Sequence, residues 1–254
     1  MKALRSRILL AAVAAGCTGV SAPASSFEHR SSGGPTSTVV FSGVDFANDA
    51  FAAHAGVIKS LNGDLGKDGV MLRALGVYVD YEYGTDFGAG PIRIDGEAGI
   101  FDLMVGYQFI RPSHRLGIYA GVEFQGHELS PDDPFNDVDG NEWGFKIAGD
   151  YETAANSPLY LGLIGSYSTA FDTYWTRARV GTPVGRFVLG VEGLAHGNEG
   201  YDAQRLGGFV NIPLGIHYGI LSLSSGYQWA DEDSASGGGG SSGAYGSAGI
   251  SFSF

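Results

Sequence analysis

His114-Arg115-Leu116-Gly117-Ile118-Tyr119-Ala120-Gly121-Val122-Glu123-Phe124-Gln125 is the stretch on which the fold turns. Its even positions from Leu116 to Phe124 are apolar, while Gly117, Tyr119, Gly121, Glu123 and Gln125 between them are small or polar. A period of two marks a strand whose two faces meet different surroundings. The pattern recurs on both sides. Residues 99–109 set Phe101, Leu103, Val105, Tyr107 and Phe109 against Asp102, Gly106 and Gln108. Residues 143–152 set Trp143, Phe145, Ile147 and Tyr151 against Lys146, Asp150 and Glu152, and residues 186–196 set Phe187, Leu189 and Val191 against Arg186, Glu192 and His196. A soluble sandwich also alternates, but here several polar faces carry charge, as the wet lumen of a membrane barrel does.

Working outward, the chain reads as about twelve such segments. They fall at roughly 38–46, 51–61, 70–83, 94–110, 115–127, 142–153, 158–169, 173–182, 185–196, 203–214, 216–229 and 244–254. An even number suits a closed bacterial barrel. The last segment ends Ile250-Ser251-Phe252-Ser253-Phe254, again alternating; Phe252 and Phe254 are read as the assembly signal of a closing strand. With a periplasmic N-terminus, the periplasmic connections are short: Asn62-Gly63-Asp64, Arg111-Pro112-Ser113-His114, Asn156-Ser157-Pro158, Pro183-Val184-Gly185 and Leu214-Gly215. The opposite connections include the long segments 84–93, 129–141, 197–202 and 230–243, an asymmetry that outer-membrane barrels share. The expected fold is an all-β, transmembrane up-and-down antiparallel barrel over residues 38–254.

Composition agrees. The 254 residues include 42 Gly, 12% aromatics and only 17% charged side chains. Lys2, Arg5 and Arg7 precede the apolar run Ile8 to Ala15, and Ala22-Pro23-Ala24 supplies small residues for cleavage, so residues 1–24 read as a secretory signal peptide. A lipoprotein site at Ala15-Gly16-Cys17 is the rival reading, weakened by Ala14 where Leu is usual. Cys17 is the single cysteine, so cleavage after Ala24 leaves no disulfide, thiolate metal site or Cys nucleophile. Cleavage also removes three basic residues and takes the formal charge from −12 to −15, which argues against nucleic acid as a partner. Residues 25–37, rich in Ser, Gly and Pro, read as a disordered leader.

Two regions carry a more specific signal. Phe41-Ser42-Gly43-Val44-Asp45-Phe46-Ala47-Asn48-Asp49, Ala55-Gly56, Leu61-Asn62-Gly63-Asp64-Leu65, Asp68-Gly69 and Leu72-Arg73 at one end, with Gly226-Tyr227-Gln228-Trp229 and Gly243-Ala244-Tyr245 at the other, resemble the cellulose biosynthesis protein BcsS family. His54 departs from it by standing where an aromatic is expected. The resemblance implies a non-enzymatic barrel in the outer membrane of a Gram-negative bacterium that supports cellulose (exopolysaccharide) biosynthesis or export. It brings no catalytic residues and no cofactor. The implied partners are outer-membrane lipid and lipopolysaccharide, the barrel-assembly machinery, and cellulose or components that secrete it. A general pore, a lipid-modifying barrel enzyme and an adhesion barrel are the alternatives.

Candidate chemistry is sparse. Asp137, Asp139, Asn141 and Glu142 space oxygens at near-alternate positions as calcium loops do, but Gly140 comes too early and Ala148 stands where a bidentate Glu belongs. The competing reading is a solvated acidic loop, extended by Asp132, Asp133, Asp231, Glu232 and Asp233, where divalent cations would bridge lipopolysaccharide phosphates. An enzyme would need one of His54, His127, His196 or His217 beside a Ser with a third orienting group. Strand parity predicts a lumenal network of Arg73, Arg177, Arg179, Arg186 and Arg205 with Asp80, Glu82, Glu123, Asp150 and Glu192. Tyr78, Tyr119, Tyr160 and Trp175, with Arg177 and Arg179, are the candidate lumenal glycan contacts, packing being their competing role. Tyr81, Tyr83, Tyr107, Tyr167, Trp143 and Trp229 are expected on the outer face as interfacial girdle residues.

Overall fold

A computed structural model describes residues 35–86, 90–134, 136–154, 157–230 and 241–254. The expected signal peptide, most of the expected leader, and Asp231, Glu232 and Asp233 lie outside these. The chain forms twelve antiparallel strands: β1 (Thr38–Ala47), β2 (Ala50–Ser60), β3 (Gly69–Asp86), β4 (Pro91–Arg111), β5 (His114–Ser130), β6 (Gly140–Thr153), β7 (Tyr160–Ser168), β8 (Tyr174–Val184), β9 (Phe187–Asn198), β10 (Tyr201–Pro213), β11 (Ile220–Ala230) and β12 (Gly243–Ser253). Each strand pairs with its sequence neighbours, and β1 pairs with β12, so the sheet is a closed barrel. Closure leaves no edge unpaired, which lipid demands. The closing ladder sets Val40 opposite Phe252, and the Thr38 and Phe254 backbones exchange hydrogen bonds. Thr36 and Ser37 also accept hydrogen bonds, from Leu65 and Ser60, at this end of the barrel. We call it the near end, and the opposite rim the far end.

The alternation of β4, β5 and β6 stands as predicted. Phe101, Leu103, Val105, Ile118, Val122 and Ile147 are exposed on the outer wall, with Phe145 the most open at 75%, whereas Asp102, Gln108, Glu123, Lys146 and Asp150 are buried within. The exposed apolar band is the surface that meets lipid.

Strand length shows what loop length did not. β7, β8, β11 and β12 have 9–11 residues, the number that crosses a bilayer, whereas β3, β4 and β5 have 18, 21 and 17. Most of the expected loop 84–93 is strand, the expected loop 129–141 keeps a connection at residues 131–139, and the connection at 197–202 shrinks to residues 199–200. Near-end connections are less uniformly tight than predicted. The turn after β2 spans residues 61–68 and tucks a buried Leu65 beneath the barrel, held by Gln108 Nε2 donating to the Leu65 and Lys67 carbonyls. The turn after β10 spans 214–219, with His217 and Tyr218 in the left-handed region (φ 43° and 48°), so β11 starts at Ile220 rather than near 216.

The surplus length of β3–β5 lies at the far end and reverses the alternation. There the outer face carries Asp80, Glu82, Asp95, Glu97 and Glu128, paired in rows such as Asp80–Glu97–Glu128. Inside, Val77, Val79, Tyr81, Tyr83, Ile94, Ile100 and Leu129 form an apolar core with Tyr201 and Ala203 of β10. With water outside rather than lipid, the hydrophobic effect turns apolar side chains inward. Two sequence expectations fail for this reason. Tyr81 and Tyr83 are not girdle residues but interior ones, Tyr81 at 1% exposure. Tyr78 is not lumenal; it lies on the outer wall at 44% exposure. Asp80 and Glu82 leave the expected lumenal network with it. Tyr107, Tyr167, Trp143 and Trp229 are exposed on the outer wall as predicted.

Candidate functional site

Between the apolar core and the near end, the lumen wall carries buried charge in two groups. On the β3–β6 side, Lys146 Nζ lies 2.9 Å from Asp102 and also pairs with Glu123, while Arg73 stands 3.9 Å from Asp102. Gln125 Nε2 donates to Glu123 (2.7 Å) and to Thr173 Oγ1 (3.0 Å). Arg115 pairs with Asp150 at 2.6 Å below them. On the β8–β12 side, Arg179 Nε donates to Glu192 (2.7 Å) and its Nη1 to Ser222 (2.9 Å), and Tyr245 Oη donates to the other Glu192 oxygen (2.8 Å). Arg205 donates to Gln228 (2.6 Å) and reaches across to Asp45 of β1 (2.5 Å). The Arg205 guanidinium also lies over the Tyr245 ring, 5.1 Å from its centroid.

Small residues shape this packing. A Cβ on Gly226 would strike the Leu206 carbonyl and the Tyr245 ring, and one on Gly207 would strike the Tyr245 hydroxyl. Glycine at these inward positions lets Tyr245 lie against the wall and reach Glu192.

The predicted network therefore exists with altered membership. Arg73, Arg179, Arg205, Glu123, Asp150 and Glu192 belong to it. Arg186 does not: it sits exposed in the near-end turn, 5.3 Å from the Phe187 ring centroid. Asp45, Asp102, Arg115 and Lys146 were not named as partners, although strand parity places each inward. Their partners come from other strands, and pairing by sequence alone has no access to that.

Of the candidate glycan contacts, Tyr160, Arg177 and Arg179 come together. Tyr119 packs against the wall at Gly106, on the Arg115–Asp150 side. Trp175 is buried with the Arg177 guanidinium 5.5 Å from its ring centroid. Tyr160, Arg177 and Arg179 line a small recess with Glu152, Asn211 and Ser222, about 60 Å³ in volume. Tyr160 Oη donates to Glu152 Oε1 at 3.0 Å. The far wall of the recess, on β11 and β12, presents only short or aliphatic side chains such as Ser247, Gly249 and Ser251. Sequence reading found the basic and aromatic members by parity and missed Glu152, Asn211 and the serines, which carry no motif.

The remaining candidates separate. Asp139 Oδ1 accepts from the Gly140 amide (2.8 Å), and Glu142 Oε2 accepts from the Phe171 amide (3.0 Å) inside the far mouth. Among the described residues no group of three His, Cys, Asp or Glu side chains is placed to hold a metal ion. His127 bonds Gln125 (3.2 Å) and packs edge-on to Phe171, His54 lies by Phe41, His196 by Tyr201, and His217 by Phe254. Ser113 Oγ does bond a histidine, His114 Nδ1 at 3.0 Å, but in an exposed two-residue turn with the ring stacked on Tyr151.

Among solved structures, a KdgM porin is similar over 85% of this chain and 99% of its own, with 7% identity and a TM-score of 0.44. The β domain of the Bordetella autotransporter BrkA is similar over 87% of this chain and 99% of its own, with 12% identity and a TM-score of 0.43. No curated protein sequence matches significantly. A family model does match, across residues 39–254 and hence the whole barrel, and the chain belongs to that family, cellulose biosynthesis protein BcsS.

Proposed function

We propose that this protein is a non-enzymatic barrel of the outer membrane that supports cellulose production at the surface of a Gram-negative cell, with its near end toward the periplasm. Family membership supplies the pathway. The observation that carries the role is the lumen: buried ion pairs line it at mid-height, Leu65 underlies it, and an apolar core joins β3, β4 and β5 to Tyr201 and Ala203 of β10 at its far end. A glucan would have to part this core to pass, so the barrel supports export as a closed body rather than as the conduit. Outer-membrane lipid and lipopolysaccharide meet the apolar band, and the acidic far-end extension faces the medium.

A deletion strain assayed for surface cellulose tests the role, and normal output in that strain refutes it. Planar-bilayer recording separates this reading from a general pore: a filled lumen gives no steady conductance, whereas an open pore conducts at every insertion.

A further inference from the structure

The recess beside Tyr160 is set into the lumen wall, and its chemistry is specific. Two of its polar atoms have no hydrogen-bond partner: Glu152 Oε2 and Asn211 Oδ1. Glu152 is 95% buried, and its other oxygen is already engaged by Tyr160. Both unpartnered atoms are acceptors, so whatever fills the recess must donate N–H or O–H groups; leaving them unmet is unfavourable. Charge narrows the choice. Arg177 and Arg179 line the recess with Glu152, and Glu192, paired with Arg179, supplies the second negative charge, so neither a cation nor an anion is favoured. The β11–β12 wall adds the hydroxyls of Ser222, which accepts from Arg179 and has its own proton to donate, of Ser247, which bonds Ser224, and of Ser251. A neutral molecule dense in hydroxyl groups satisfies every one of these conditions.

Position narrows it again. Tyr160 opens β7, Ile220 opens β11, and Ser251 lies two residues before the end of β12, so the recess is at the near end. In the proposed orientation that end faces the periplasm, where a glucan leaving the inner membrane arrives. We propose that this recess binds the end of a neutral β-1,4-linked glucan. The β-1,4 linkage rests on the proposed role in cellulose production; the preference for a neutral hydroxyl donor rests on the recess alone.

The test uses the purified full barrel in detergent, titrated calorimetrically with cellotetraose, maltotetraose and tetragalacturonate. Cellotetraose is expected to saturate near the millimolar range, about 1 mM, and the other two to bind more weakly. Asn211→Leu and Ser222→Leu fill the recess and are expected to weaken cellotetraose binding at least ~10-fold, while the far-UV circular dichroism and heat-modifiable migration stay those of wild type. Asn211→Ala removes the acceptor without adding bulk, and it must weaken binding too, which covers the case in which a leucine prevents folding. No saturation by cellotetraose, binding unchanged in Asn211→Ala, or equal or tighter binding of either other oligomer overturns the proposal. Normal surface cellulose in a deletion strain overturns the proposed role instead and leaves the binding result standing.

Discussion

Lys146→Met tests how the lumen is held. Lys146 Nζ is shared by Asp102, at 2.9 Å, and Glu123, and all three side chains are at most 5% exposed. Carboxylate oxygens that share one ammonium stand about 5 Å apart; at an effective dielectric constant near 20 their bare repulsion is about 3 kcal/mol. Arg73 at 3.9 Å offsets part of that for Asp102 and leaves Glu123 with the Gln125 amide. Breaking a buried ion pair by removing one partner typically costs about 3–5 kcal/mol, and Lys146→Met is expected to fall in that range. At 1.4 kcal/mol per factor of ten this is a shift of roughly 100- to 4,000-fold in the unfolding equilibrium. Replacing Glu123 as well, as Lys146→Met with Glu123→Gln, removes the repulsion, leaves Asp102 with Arg73, and is expected to recover all but about 1 kcal/mol, since buried pairs gain little over neutral replacements. Reversible urea unfolding in lipid vesicles, followed by Trp fluorescence, gives the free energies. A loss below about 1 kcal/mol for the single variant would mean that Lys146 behaves as a surface ion pair and that the lumen is wet and open there. Failure of the double variant to recover would place the cost in lost packing rather than in charge.

The far-end extension offers a paired test. Tyr81→Ala removes a buried ring from the apolar core and should cost about 3–5 kcal/mol, whereas Tyr78→Ala, on the outer wall, should cost well under ~1 kcal/mol; the reverse ranking would show that β3 has the opposite parity. Glu97→Gln breaks the row Asp80–Glu97–Glu128 and should stabilise the extension by about 0.2–1 kcal/mol per relieved pair, an effect that shrinks with added salt, read by hydrogen exchange along β4. Phe252→Ser with Phe254→Ser should reduce the fraction of protein inserted in the membrane, measured by heat-modifiable migration of membrane fractions, while the inserted molecules unfold as wild type does.

How much of this was legible in the residues depended on the solvent outside each strand. In β4, β5 and β6 the rule of apolar out and polar in places Phe101, Val122 and Phe145 correctly because lipid covers them. The same rule applied to Tyr78, Tyr81 and Tyr83 fails, although the alternation there is just as regular. The period reports that two faces differ; it carries no mark of which face is wet. That is decided by where the hydrocarbon layer stops, and β3 runs past it. The loops mislead for the same reason: residues 84–93 are rich in turn formers, yet the long ladder between β3 and β4 holds most of them in strand.

The recess shows the same division within one site. Parity brought Tyr160, Arg177 and Arg179 inward, but nothing in the chain joins them to Asn211 or Ser222. The sequence by itself determined the strand number, the closing of β12 on β1 and the polar lumen, because period, count and composition are local properties. It took the folded barrel to bring Asp45 to Arg205 160 positions away, to set Lys146 between two carboxylates, and to place Glu152 and Asn211 on the wall of one recess. Contacts across a lumen depend on the stagger with which the sheet closes. That stagger is a property of all twelve strands together and is written in none of them singly.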